Sequence, residues 1–83
     1  MVTVTRGMAK EFARDYLGTL KAHGKRNTYR SPREIARLMN ITVDKAIKFI
    51  VVAKANNFMY DDNKATAHYI SAPTLFKVCE ANI

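Results

Sequence analysis

Ser31, Pro32 and Glu34 constrain this chain more than any other residues. Ser31 is a good N-cap, and Pro32 suits the first helical position, where its missing N–H costs nothing. Glu34, three residues after Ser31, completes a capping box: the Ser oxygen takes the N–H near Glu34 and the Glu carboxylate returns to the N–H of Ser31. A helix therefore starts here and runs through Ile35, Ala36, Leu38 and Met39. It should stop near Asn40, the non-glycine residue that best tolerates a left-handed turn. Thr42 or Asp44 can cap the next helix, which runs to about Asn56 before Asn57 helps to end it. Helix, tight turn, helix is the expected centre of the fold.

The flanks supply the other elements. Residues 1–5 read as a short strand or a loose arm. From about Gly7 to His23 the pattern is helical, with Met8, Phe12, Tyr16 and Leu20 recurring every four residues beside Ala9, Ala13 and Leu17. Gly24 can take the left-handed conformation that closes that helix. Gly18, costly inside a helix, suggests that another helix approaches closely there. After the central helices, Phe58, Met59 and Tyr60 read as a strand, "DDNK" (61–64) as a turn and "ATAHYIS" (65–71) as a returning strand. Pro73 breaks the pattern, and Thr74 can cap a last short helix, "LFKVCEANI", with Leu75, Val78 and Cys79 facing the core. Eighty-three residues support one domain, 1–83, with a small core.

This order resembles that of the winged helix-turn-helix superfamily. In "PREIARLMNITVDKAIKFI", Ala36 stands where that family keeps a small residue between its two helices, and Met39 at the apolar end of the first. Asn40 replaces the usual turn Gly, Ile41 is the apolar residue after the turn, and Ala46 and Ile47 fall where the second helix packs back. "ANNFMY" is similar to the family's passage into its wing, with two extra residues or a longer last helical turn. The resemblance implies a mostly helical α+β fold and, commonly, DNA or protein binding.

Charge points the same way. Lys plus Arg number 14 against 7 Asp plus Glu, a net charge of +7. Between Lys21 and Lys48 lie eight bases and only two acids, Glu34 and Asp44, so this third of the chain holds six of the seven net charges. Such clustering is the electrostatic footprint of a nucleic-acid binder, the plain alternative being a solvated basic surface. The expected DNA-binding set is Lys25, Arg26, Arg30, Arg33, Arg37, Thr42, Lys45, Lys48 and Lys64, with Tyr29 extending it. Lys45 and Lys48 would enter the major groove from the second helix, while Arg33 and Arg37 hold the phosphate backbone. No apolar run approaches the roughly 20 residues that cross a membrane. "MVTVTRGMAK" lacks a secretory apolar region, so a cytoplasmic protein is expected.

On a helical wheel, Val43, Ala46, Ile47, Ile50 and Val51 form the expected core side of the second helix, with Ala53 at its edge. Asp44, Lys45, Lys48, Val52 and Ala55 fall opposite, and Phe49 at the border. Two features oppose conventional base reading. Positions 44, 45, 48 and 52 hold no Arg, Asn or Gln, and the expected wing tip is Asp61-Asp62. Phe49 and Val52, expected at the surface, suggest a protein interface that Tyr60, Tyr69 and Phe76 could enlarge, unless another helix covers them.

Two functions follow. The first is a DNA-binding transcription regulator, sequence-specific or sequence-tolerant, acting as a dimer and suited to a phage or plasmid. The alternative is a winged-helix-like adaptor or inhibitor, such as a phage accessory factor, that binds an acidic protein and no DNA. Chemistry is not expected. His23, His68 and Cys79 share no metal-ligand spacing, no Gly-rich phosphate loop occurs, and Cys79 reads as core. His23 reads as a helix-end residue facing the dipole. Neither an enzyme nor a cofactor is implied.

Overall fold

The same local chemistry starts and stops all three helices. The computed structural model describes residues 3–62 and 74–83. Helices α1 (Arg6–Ala22), α2 (Pro32–Met39) and α3 (Val43–Ala55) are followed by strands β1 (Met59–Asp61) and β2 (Phe76–Val78) and a 3₁₀ turn, Glu80–Asn82. Thr5, Ser31 and Thr42 each accept a hydrogen bond from the backbone N–H three residues on, at 3.2 Å. Those contacts satisfy donors that every helix start leaves free. Gly24, Asn40 and Asn57 then take positive φ of 66°, 57° and 62°. At each, two backbone N–H groups turn back onto the last helical turn: Lys25 onto Leu20 O at 2.8 Å, Ile41 onto Ala36 O at 3.0 Å, Phe58 onto Ala53 O at 2.8 Å. This is the Schellman arrangement, which suits Gly and Asn because both tolerate left-handed backbone.

The capping box forms by half. Ser31 Oγ accepts from Glu34 N, but the Glu34 carboxylate meets Arg30 Nε at 3.7 Å, so its expected return to Ser31 gives way to a cation.

The core lies where the three helices meet, and small residues set its geometry. Ala9, Ala13, Ala36, Ala46 and Ala53 are all at most 1% exposed, which lets the helix backbones approach closely. Phe12, Tyr16, Leu20, Ile35, Ile50, Phe58, Met59 and Val78 fill the space between them. Burying each such apolar side chain contributes about 1.5–3 kcal/mol. Two expectations for α1 change. Met8 is 36% exposed rather than buried. Gly18 faces solvent with nothing within 4 Å of where its Cβ would be, so no helix among the described residues packs on it.

The expected C-terminal helix over 75–83 is instead β2 and a 3₁₀ turn. Phe76–Val78 pairs antiparallel with β1 in the register Met59↔Val78, Tyr60↔Lys77, Asp61↔Phe76. On its other side, Phe76 exchanges both backbone bonds with Arg30, at 2.8 and 2.9 Å. Asn27 extends that edge with its side chain, accepting from Val78 N at 3.0 Å and donating to Val78 O at 2.8 Å. A segment with β partners on both sides satisfies its polar backbone as a strand, and that outweighs its local helical spacing. The returning strand expected at 65–71 lies outside the described residues. The expected turn also moves: Asp61 belongs to β1, and Asp62 pairs with Leu75, its N–H on Leu75 O and its Oδ1 accepting from Leu75 N, both at 3.0 Å.

Candidate nucleic-acid interface

The basic residues expected at one surface divide into three groups. Lys25, Arg33 and Arg37 come together around one surface depression with Ser31, Glu34 and Leu38. Local structure brings them there. The turn after α1 places Lys25, and the Ser31 cap orients the first turn of α2, from which Arg33 and Arg37 project one turn apart. Arg26 and Lys48 are exposed.

Arg30 belongs to the second group, whose side chains serve the fold. Its side chain is only 11% exposed, its Nη1 donates to Arg26 O at 2.8 Å, and its Nε meets Glu34. It also lies close enough to the buried Tyr16 hydroxyl to bias that group's ionisation. Burial raises the Tyr16 pKa above its usual 10.0, and the Arg30 charge opposes the shift. The hydroxyl itself has no hydrogen-bond partner among the described residues. Thr42 is the cap of α3, with its oxygen engaged by Lys45 N.

Lys45 stands apart. It lines a depression between α1 and α3 with Glu11, Asp15, Met39, Ile41 and Phe49. Two carboxylates thus share its surroundings, while Lys48 projects from the outer side of the helix. Lys45 and Lys48, three residues apart and both exposed, remain neighbours on the helix surface, and what the sequence did not show is the pair of carboxylates beside Lys45. Lys64 lies outside the described residues.

The apolar side of α3 is rotated from its expected position. Ala46, Ile50 and Ala53 point inward, and Val43, Ile47 and Val51 are 39%, 42% and 59% exposed. Phe49 and Val52, expected at a protein interface, pack against the core instead. The Phe49 ring stacks on Phe12, so it is α1 that covers it. Tight packing among alanines sets the contact side here, and the larger β-branched residues are left on the flank. The sequence signal for this was the alanine spacing 46/53 facing 9/13, which total hydrophobicity obscures.

Of the two expected tip aspartates, Asp61 is ion-paired and half-buried, while Asp62 stays exposed. Lys54 Nζ reaches Asp61 Oδ2 at 3.1 Å, and Asp62 holds Leu75. Lys77, absent from the expected set, lies 5.1 Å from the Tyr29 ring centroid and 6.0 Å from that of Tyr60. The strand register that sets Lys77 opposite Tyr60 was hidden while this segment read as helix. Tyr60 is 46% exposed, and its hydroxyl shares a hydrogen bond with Cys79 Sγ at 2.9 Å. That contact is the main cause raising the Tyr60 pKa above its usual 10.0. Cys79 is buried, as expected of a core residue. Phe76 is partly buried against the core; Tyr69 and His68 lie outside the described residues.

Among the described residues, no three His, Cys, Asp or Glu side chains are grouped to hold a metal ion. No helix there is long and apolar enough to cross a membrane. No family model matches the chain, and neither a curated protein nor a solved structure matches it.

Proposed function

We propose that this chain is a small DNA-binding transcription regulator of winged helix-turn-helix type that grips the duplex backbone more than it reads bases. The observation that carries this reading is the convergence of Lys25, Arg33 and Arg37 on one depression. Among the described residues, the ion pairs are Arg30–Glu34 and Lys54–Asp61, so these three bases keep their charge for a ligand. Glu34 lines the same depression, but its carboxylate is turned toward Arg30. Arg26 and Lys48 enlarge the positive surface. Neutralising phosphates releases condensed counterions, so such binding is strong at low salt and sequence-tolerant.

The element order supports the fold reading: helix, a bridging residue at Arg30, helix, tight turn, helix, then two antiparallel strands. Fold alone does not assign function, and the weight rests on the basic surface. Base reading is weak because the outer side of α3 offers Lys48 among Val43, Ile47 and Val51, with no Arg, Asn or Gln to pair bidentately with a base edge. Sequence preference then comes from DNA shape or from the half-site spacing of a homodimer. The Asp61-Asp62 pair opposes the reading less than its sequence suggests, since Lys54 offsets the Asp61 charge, and Asp62 remains an exposed acid that the duplex must avoid.

The test is fluorescence anisotropy with a labelled random duplex, comparing the wild type with a variant carrying Lys25→Ala, Arg33→Ala and Arg37→Ala. The reading expects clear weakening in the triple variant. Equal affinity for the two proteins contradicts it.

A further inference from the structure

The exposed apolar residues of α3 form a line. Val43, Ile47 and Val51 are spaced four apart, so they lie above one another on one flank of the helix. They are not overflow from the core, because the inner side of α3 is complete with Ala46, Ile50 and Ala53. The line also continues onto neighbouring elements. Val43 and Ile47 share a depression of about 690 Å³ with Pro32 and Arg33 of α2, Thr74, and Phe76 of β2. The surface is therefore a strip along a helix with a recess at one end.

With Lys54 paired to Asp61, the unpaired charges on its rim, among the described residues, are the bases Arg33 and Lys48 and the acid Asp44. Arg33 borders the recess, Lys48 is exposed next to Ile47, and Lys54 stands near Val51 with its side chain 50% exposed while paired to Asp61. Asp44 is the exposed acid on the same helix.

We infer that this strip docks an acidic amphipathic helix of a protein partner. The partner's apolar residues, at helical spacing, lie along Val43, Ile47 and Val51, and one of them enters the recess beside Phe76. Its Asp and Glu side chains flank that stripe and meet Arg33 and Lys48. This is helix-in-groove recognition with charge at the rim setting the choice of partner. A second copy of this chain fits less well, since pairing two strips brings like-charged rims together in a protein of net charge +7. The inference does not rest on duplex binding, but it uses Arg33 and Lys48, which the proposed duplex surface also uses, so duplex and partner helix would compete for them.

The test uses a labelled 21-residue peptide with Leu at heptad positions a, d and e and Glu or Gln elsewhere, a scrambled peptide of the same composition, and the full chain. The amphipathic peptide should bind, with backbone amide shifts centred on Val43, Ile47, Val51 and Phe76. Removing an apolar contact worth about 1.4 kcal/mol weakens binding tenfold, so Ile47→Glu and Val51→Glu should each weaken it at least roughly tenfold. Both residues are well exposed, so both variants should keep the wild-type circular dichroism spectrum and melting temperature.

Three outcomes overturn the inference. One is absence of binding at millimolar peptide. Another is equal binding of the scrambled peptide, which would reduce the effect to charge alone. The third is concentration-dependent dimerisation in sedimentation that Ile47→Glu abolishes, which would assign the strip to a second copy.

Discussion

Phe49 of α3 stacks on Phe12 of α1, with ring centroids 4.8 Å apart and planes 10° from parallel. This pair ties the third helix to the first and takes Phe49 off the surface. Phe49→Ala should therefore lower the free energy of unfolding by roughly 2–4 kcal/mol, somewhat under the range for a fully buried Phe. Val51→Ala, on the exposed flank, should change it by no more than about 0.5 kcal/mol. Urea titration of both variants checks this, and equal midpoints would contradict the packing described.

Asn27 substitutes its side chain for a strand partner by bonding both polar backbone atoms of Val78. Asn27→Ala should cost about 1–3 kcal/mol, because part-buried backbone groups lose their partners. Asn27→Asp keeps the acceptor, loses the donor and sets a carboxylate near Glu80, which Asn27 now contacts at 3.3 Å. It should be at least as harmful. Thermal melts together with hydrogen exchange at the Val78 amide report both effects.

How much of this was legible in advance varies with range along the chain. Ser31, Gly24, Asn40 and Thr42 act within four residues of themselves, and their roles could be read directly. The segment Phe76–Val78 could not be read, because Phe76 is made a strand by Arg30 and by β1, remote in sequence. The same holds for Arg30. As one base among eight it looked free, yet tertiary structure surrounds it with Tyr16, Glu34 and the Arg26 carbonyl. The convergence of Lys25 with Arg33 and Arg37 was legible as clustering, and the placing of Lys45 beside Glu11 and Asp15 was not. It depends on which side of α3 the alanines draw inward.

Gly18 offers a direct stabilisation. A Cβ there meets open space, and the residue is inside α1. Gly18→Ala should raise stability by up to about 1 kcal/mol, the difference in helix propensity. A drop in melting temperature would show that something does pack on that turn.

Tyr16 predicts an alkaline weakness. Burial raises its pKa in the folded chain above 10.0, so the unfolded chain loses this proton first as pH rises. The stability linked to Tyr16 is thus complete below that value and declines above it. Tyr16→Phe should remove this part of the alkaline loss. Near neutral pH it should cost little or be slightly stabilising, because the hydroxyl it deletes is buried with no hydrogen-bond partner among the described residues. Urea midpoints for both proteins from pH 7 to about 11 test the slope on which the tyrosine shift bears. Parallel curves would contradict it.

The central claim concerns phosphate contacts by Lys25, Arg26, Arg33, Arg37 and Lys48. Its most direct measurement is the salt dependence of duplex binding, by anisotropy with a labelled random duplex between about 50 and 200 mM salt, where each contact adds about −0.9 to the log–log slope. Five contacts in one protomer predict a slope near −4.5, or a loss of roughly 500-fold across that range. The variant with Lys25, Arg33 and Arg37 replaced by Ala should fall to a slope of about −2. A wild-type slope shallower than about −1, or the same slope in both proteins, would contradict the assignment of this surface to nucleic acid.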